Sequence, residues 1–432
     1  MQQRNSAWFH LPSLLFGAFW AAVGILLTQS FLGPTIVELS RPEEEQMLAL
    51  VHRRLAEEYA IPKDAQWLMQ RGVDGMIQSL EDPYSTFIGP EDMRRFHEES
   101  SGMLVGIGVM MDGNGTVLYP QPGGVAEKLG LRPGDIFLSI DGEDVQGEVM
   151  DQLRERLRGE PGSSVTLELQ HVDGERSTVT MERGSVPTLT VGDVRLLDRE
   201  SGIGHIHVRS FARSTAGEFD RAMLRLEEMG MRALVLDLRW NIGGQLDAAV
   251  DIASRFLPGG LICTLQSRVN GPSSRYGNED DATHVGLPLV VLMNEWSASG
   301  SEVLAAALRE RGAAVLVGQR SYGKGVYQEV FDFPSGSFAI KFTAGYYLTP
   351  RGKILEDHLG DQFAGGLEPD LAVARTPEEE ASIKAWQGRN PPPQRYREDF
   401  ERLFPVVANV APPKDSSLEV AHRLLAEALP PQ

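Results

Sequence analysis

Between Ser185 and about Thr376 strand-like and helix-like stretches alternate, and this alternation limits the fold more than any other feature of the chain. In order they read GIGHIHVRSF, TAGEFDRAMLRLEEMG, RALVLDLR, GQLDAAVDIASRFL, LPLVVLMN, SEVLAAALRERG and AAVLVGQ. Such a pattern predicts an α/β domain over 185–376. Gly102 to Gly184 is instead a compact β-rich block. Its short strands (GIGVMM, TVLYP, IFLSI and two around VTLELQHVDGERSTVTM) are separated by DGNG, RPGD and DGEDV turns and two helices, VAEKLG and MDQLRERLRG.

The flanks are helical. Residues 38–101 carry EEEQMLALVHRRLAEEYA, with apolar residues at helical spacing, followed by the turn-rich EDPYSTFIGPEDMRRF. Residues 377–432 carry proline clusters, NPPPQ, LFPVV and APPK, and close on the amphipathic SLEVAHRLLAEAL. That composition predicts a linker followed by a docking or dimerising helix. A chain of 432 residues has room for these parts, and its net charge of −19 argues against a nucleic-acid surface. The lone cysteine, Cys263, excludes an internal disulfide and reads as a small core residue in a strand.

Residues 1–37 are a separate case. From Asn5 to Val37 there is no Asp, Glu, Lys or Arg, and about 20 apolar residues span a bilayer. Arg4 and the amino terminus put positive charge on the near side, so the bulk of the chain is expected outside the cytoplasm. TQSFLGP is a poor cleavage site. The expectation is an uncleaved anchor in an inner membrane, with the folded part in the periplasm or another extracytoplasmic space.

Chemistry concentrates in two stretches. GQRSYGKGVYQ, Gly318 to Gln328, contains the G-x-x-x-x-G-K of a phosphate loop, but Gly325 stands where that loop needs Ser or Thr. The β-branched and aromatic VYQEVFDF that follows predicts a strand, not the helix a phosphate site requires. The second stretch is SASGSE, after a buried strand ending at Asn294. Ser299 to Glu302 fits the S-x-x-E capping box of a helix start. A serine there is also well placed as a nucleophile, because helix N–H groups stabilise an oxyanion. No histidine is a convincing base: His205 and His207 share one face of a strand, and His97 lacks the second histidine of H-E-x-x-H. A Ser–Lys pair remains, with Lys324 as base and Gln328 able to hold its amine, since Lys324, Val326 and Gln328 would share a strand face.

With these motifs on the page, the chain from about Asp82 to Leu371 resembles the carboxy-terminal processing peptidases, or tail-specific proteases. DPYSTF, GIGV, LGLRPGDIFLSIDGEDV, DLRWNIGGQLDAAVDIASRFLPGG, SASGSE, GQRSYGKGVYQ, YYLTPRGKILED and GLEPD stand in family order over roughly two thirds of the chain. The resemblance implies an α/β (α+β) serine protease core of the ClpP/crotonase-like type, an inserted β-rich PDZ domain and helical terminal segments. It implies Ser299 as nucleophile, Lys324 as general base, Gln328 as its orienting residue, and N–H groups of Gly300 and of Gly243 or Gly244 as oxyanion hole. The 25-residue step from Ser299 to Lys324 agrees with it. Three departures are visible: WNIGG lacks a proline before the paired glycines, Gly300 replaces an alanine, and Tyr327 replaces a small apolar residue.

The block 102–184 resembles the PDZ domain, which adds a peptide to a sheet edge and captures its carboxylate in a backbone nest. Gly106, Ile107 and Gly108 are the expected carboxylate loop, and Ile107, Val109, Leu153 and Leu157 the expected apolar pocket. The reading calls for no metal and no cofactor. Its partners are peptides or proteins with accessible C-termini, a membrane through the amino-terminal segment, and a second copy through the terminal helices. The competing reading is a catalytically inactive PDZ scaffold.

Overall fold

The structure is a computed structural model that describes residues 43–333, 338–358, 365–408 and 410–430. The expected anchor, 1–37, lies outside the described residues. Among those described, no helix is long and apolar enough to cross a membrane. The chain divides into two units, Met1–Glu81 and Asp82–Gln432.

The first unit is a pair of helices, α1 (Glu43–Glu58) and α2 (Ala65–Gln78). Asp64 caps α2 by accepting from the Trp67 N–H at 2.7 Å, as an N-cap carboxylate does. No residue of either helix is buried.

The second unit begins with β1 (Thr86–Ile88), α3 (Pro90–Ser101) and β2 (Met103–Gly106). The β-rich block then runs through β3 (Val109–Met111), β4 (Val117–Pro120), α4 (Val125–Lys128), β5 (Ile136–Ile140), β6 (Glu143–Asp144), α5 (Met150–Leu157), β7 (Ser164–Gln170) and β8 (Arg176–Glu182). β9 (Gly184–Pro187) pairs antiparallel with β2 and closes the stem where the block leaves and rejoins the chain. Inside, Ile107, Phe137, Leu153, Val165, Leu167 and Leu169 form its own core.

The α/β part contains β10 (Val191–Asp198), β11 (Ile203–Val208), α6 (Thr215–Glu228), β12 (Ala233–Asp237) and α7 (Leu246–Phe256). After β13 (Gly260–Ser267) and β14 (Gly271–Gly277) come β15 (Leu289–Met293), α8 (Gly300–Glu310), β16 (Val315–Gly318), β17 (Val326–Asp332), β18 (Ala339–Leu348) and β19 (Leu371–Ala372). The tail supplies α9 (Pro377–Gln387), α10 (Arg397–Leu403), α11 (Pro405–Ala408) and α12 (Ser416–Ala428).

Six strands form one sheet in the order β10-β11-β12-β15-β16-β19, parallel from β11 onward. Every residue of β11, β12 and β15 is buried, as expected of a parallel sheet covered on both faces. One face packs on α6, α7 and α8. The other receives α12, whose Ala421 and Leu425 pack with Ile203, Val235, Val290 and Val317. Of the two expected roles of the tail helix, docking or dimerising, the structure shows docking within its own chain. β13, in a second sheet with β1, β14, β17 and β18, carries the buried Cys263, whose thiol burial pushes up to about 12.

A buried ionic cluster ties the tail to the sheet. The Arg239 guanidinium lies between Asp237, at 2.6 Å, and Asp415, at 2.7 Å, while Asp415 also caps α12 through the Leu418 N–H. Burial alone would raise the Asp237 carboxyl, yet the Arg239 charge and the His205 and Arg239 hydrogen bonds hold it well below its ordinary range. Without Asp415 the guanidinium keeps Asp237 but loses two charged hydrogen bonds, and α12 loses its cap. A hydrogen bond to a charged group contributes about 1.5–3 kcal/mol. We expect Asp415→Ala to lower unfolding free energy by about that much in urea denaturation, and Leu425→Ala by about 2–5 kcal/mol.

Candidate active site

Three neighbouring parallel strands end on the same side of the sheet, and the candidate residues follow their carboxyl ends. β12 runs into the turn Trp240–Gly244, β15 into Asn294–Ser299, and β16 into the loop holding Lys324. Crevices beyond strand carboxyl ends are where open α/β sheets bind ligands.

Ser299 is the N-cap of α8 and holds φ +57°, ψ −116°. A non-glycine residue in that region is strained by about 1–3 kcal/mol and needs its surroundings to enforce it. The other two serines of the motif do so. Ser297 Oγ donates to the Leu238 carbonyl at 2.8 Å and Ser301 Oγ to the Asn241 carbonyl at 2.8 Å. The Ala298 N–H reaches the same Asn241 carbonyl at 3.0 Å. The helix start and the glycine turn are thus sewn together.

Gly243 and Gly244 are required by space as well as by φ, +104° and +137°. A Cβ on Gly244 would lie 2.0 Å from the Phe211 carbonyl oxygen, and one on Gly243 would lie 2.7 Å from Ser299 Cβ. Gly243 therefore sits directly against the nucleophile candidate, but its N–H donates to Asn241 Oδ1 at 2.9 Å. The N–H groups of Gly300 and Gly244 make no hydrogen bond among the described residues.

Glu302 joins this half to the lysine loop. Its carboxylate is fully buried. Oε2 accepts from the Ser299 N–H at 2.8 Å and from the Lys324 N–H at 2.9 Å. Oε1 accepts from the Gly323 N–H at 2.7 Å and from Ser321 Oγ at 2.5 Å. Burial pushes the carboxyl above its ordinary range, against these donors, which pull it down. A second buried carboxylate, Glu356, accepts from the Gly325 N–H at 2.9 Å. With the N–H groups of 323, 324 and 325 all given to protein carboxylates, the loop has no nest for a phosphate, and the strand β17 follows it. A Cβ on Gly325 would lie 2.0 Å from the Glu356 nitrogen, which explains the glycine after the lysine.

Lys324 Nζ lies 5.0 Å from the centre of the Tyr84 ring, a residue of the DPYSTF motif. Burial, reinforced by the Lys341 charge, pulls its amine below the ordinary lysine range, against Glu356, Asp82 and Glu302. Among the described residues no hydrogen bond links Ser299 Oγ to Lys324 Nζ. Gln328 does not hold the lysine amine here: its Nε2 is buried without a partner. Lys324 precedes β17, and the β17–β18 register shifts between Tyr327 and Gln328, so simple alternation from Lys324 to Gln328 does not apply. His205 and His207 are buried in the sheet, with burial lowering His207 to about 4.

In the β-rich block, a groove of about 390 Å³ runs between β3 and α5 and is lined by Gly106, Ile107, Gly108 and Val109. Gly108 adopts φ +77°. Of the two leucines expected there, Leu157 lines the groove, whereas Leu153 is buried in the block's core. The helix instead presents Met150, Arg154 and Leu157, which share one face at helical spacing.

A serine nucleophile candidate at a helix start, a desolvated lysine and an inserted peptide-binding block define a serine-type peptidase. The model of peptidase family S41 matches residues 202–373, and a PDZ domain model matches residues 116–171. A "Probable CtpA-like serine protease" of Staphylococcus haemolyticus (strain JCSC1435) is 30% identical over 368 residues, 84% of this chain and 72% of that protein. The protein of the same description from Staphylococcus aureus (strain N315) is 29% identical over 372 residues, 85% of this chain and 72% of that one. A solved photosystem II D1 C-terminal processing protease is 28% identical, covers 76% of this chain and 86% of its own, and superposes with a TM-score of 0.43. The chain belongs to peptidase family S41, as a CtpA-like serine protease with a PDZ domain.

Glu302 is the residue whose role was not visible in the sequence beyond a helix cap. Glu302→Ala should leave four buried donors unpaired, at about 1–3 kcal/mol each. We expect lost peptide cleavage together with a lowered urea midpoint. An active, fully stable variant would show that the carboxylate is dispensable.

Proposed function

We propose that this protein is a membrane-anchored, extracytoplasmic endopeptidase that engages substrate C-termini through its PDZ domain and cleaves peptide bonds with a Ser299–Lys324 dyad. The observation that carries the reading is the shared carboxylate oxygen of Glu302, which bonds the main-chain N–H of both residues, 25 positions apart in sequence. It brings the strained helix start and the glycine-flanked lysine to one place.

In this reading the neutral Lys324 amine takes the proton of Ser299 Oγ as that oxygen attacks the scissile carbonyl. The oxyanion formed is met by the N–H groups of Gly300 and Gly244, with Gly243 shaping the turn. The Lys324 ammonium then returns its proton to the departing amine, leaving an ester on Ser299. Lys324 next deprotonates a water that attacks the ester, and passes that proton to Ser299 Oγ as the acyl group leaves. Gln328 contributes an unpartnered Nε2 able to orient lysine or substrate once the site is filled, since catalytic hydrogen bonds often tighten only with substrate bound. Exposed Met47, Leu48, Val51 and Trp67 on α1 and α2 favour self-association through the amino-terminal helices. The uncharged stretch 5–37 supports the anchor.

A free lysine titrates near about 10.4, and desolvation disfavours its charged form. Because the folded-state value is lowered, the neutral base is present above the depressed pKa and lost below it. Cleavage should rise with pH through that value and fall in acid. Lys324→Arg should be as inactive as Lys324→Ala, because guanidinium keeps its proton, and Ser299→Ala should abolish turnover. Substantial cleavage by the arginine variant at any pH would end the dyad assignment. Cell fractionation tests the location: the full-length chain should pellet with membranes and be degraded by protease added from the extracytoplasmic side.

A further inference from the structure

A second cavity, of about 800 Å³, adjoins the peptide groove. Its walls come from the end of β4, from β10 and from the prolines Pro391, Pro392 and Pro393 of the tail. Met110, Gln121, Leu189, Arg209 and Asn390 line both spaces, so groove and cavity meet there. In a chain of net charge −19 the cavity is cationic. Arg195, Arg209, Arg225 and Arg397 line it against one acid, Asp193. Asp193 is already engaged, by Arg195 at 2.9 Å and His205 at 3.3 Å. Among the described residues, Arg209, Arg225 and Arg397 have no carboxylate within 4.0 Å.

Arg209 follows β11 directly and so belongs to the peptidase domain. Its guanidinium donates to Asn390 Oδ1 and, at 2.9 Å, to the Arg389 carbonyl. Its Nε is buried with no partner. Burial pulls the group below the ordinary arginine range, against Tyr119 and the more distant Asp193 and Glu218 charges, which raise it. A part-buried guanidinium with no carboxylate in contact is costly, and a carboxylate accepting from it lowers that cost.

We propose that this cavity receives a carboxylate of the peptide held in the adjoining groove, with Arg209 as its principal ligand and Arg225 and Arg397 at its mouth. The inference rests on the PDZ groove being a peptide site. It adds a residue of the peptidase domain to that site, so one bound tail touches both domains. The carboxylate is either the peptide's terminal one or an acidic side chain near its end.

The test uses the full-length chain carrying Ser299→Ala, which cannot cut, and fluorescence anisotropy with three labelled peptides. One ends in Glu-Val with a free carboxylate, the second is its C-terminal amide, and the third replaces Glu by Gln. One neutral peptide should bind about tenfold more weakly than the acid, which is about 1.4 kcal/mol. Weakening of the amide assigns the terminal carboxylate, and weakening of the Gln peptide assigns the side chain. Adding Arg209→Gln should abolish the difference. The pair Arg225→Gln and Arg397→Gln, both exposed, should reduce it and its salt dependence without disturbing the tail contacts of Arg209. Equal binding of all three peptides overturns the proposal while leaving the groove intact. A preference for acid that survives both sets of substitutions belongs to the glycine loop and also overturns it. Binding of none of the peptides overturns the PDZ reading, and this inference with it.

Discussion

The carboxylate of Glu302, buried one turn into α8, accepts four hydrogen bonds from two segments that are distant in sequence. In water such bonds exchange for solvent at little net gain, but inside a protein an unpaired donor costs its full desolvation. These bonds hold residues 321–324 against the start of α8. The same carboxylate also engages Ser299 at its unusual backbone angles, so the strained helix start and the Lys324 loop share a support. Glu356 repeats the device one residue further on, at Gly325.

This support works because the sheet beneath it is rigid. β12, β15 and β16 are parallel neighbours, and their carboxyl ends deliver the glycine turn, the serine and the lysine to the same side of the sheet. Both faces of the sheet are covered, one by α6, α7 and α8 and the other by α12. The tail matters beyond packing. Asp415 at the start of α12 clamps Arg239, the residue immediately before the turn that carries Trp240 to Gly244. Tyr119 of the PDZ domain donates to the Asn390 carbonyl, and Tyr396 donates to Glu127. The proline-rich stretch that reads as a linker is therefore a strap, tied to the PDZ domain and to the sheet at once.

Much of this architecture was legible in residue order. Short, β-branched apolar runs such as LVVLM and ALVLD read as buried strands, and they alternate with helix-like stretches, so an α/β domain followed from spacing. The strand after Lys324 followed from β-branched and aromatic residues, and Cys263 as a core residue from its neighbours. Ser299 stood out through its helix-start motif. What the motif concealed was the division of labour within it. Ser297 and Ser301 bond the glycine turn, and Glu302 reaches beyond its own cap to residues 321–324. A capping box predicts only the local half of that arrangement, because the other partners arrive through tertiary folding.

The same distinction separates the remaining readings. The sequence marked α5 as a helix and α12 as an amphipathic one, yet it could not say that Leu153 faces the core while Met150 and Arg154 face the groove, nor that α12 packs its apolar face on the sheet. Periodicity reports that a face is apolar, and only the neighbours decide what covers it. The sequence by itself determined the element types, the order of the motifs and the chemistry available: a serine, a lysine and their glycines. Tertiary structure decided which buried donors share which carboxylate, which glycine N–H stays unpaired, and which arginines gather around one cavity. Those outcomes depend on distances between segments tens of residues apart, and local sequence does not encode such distances.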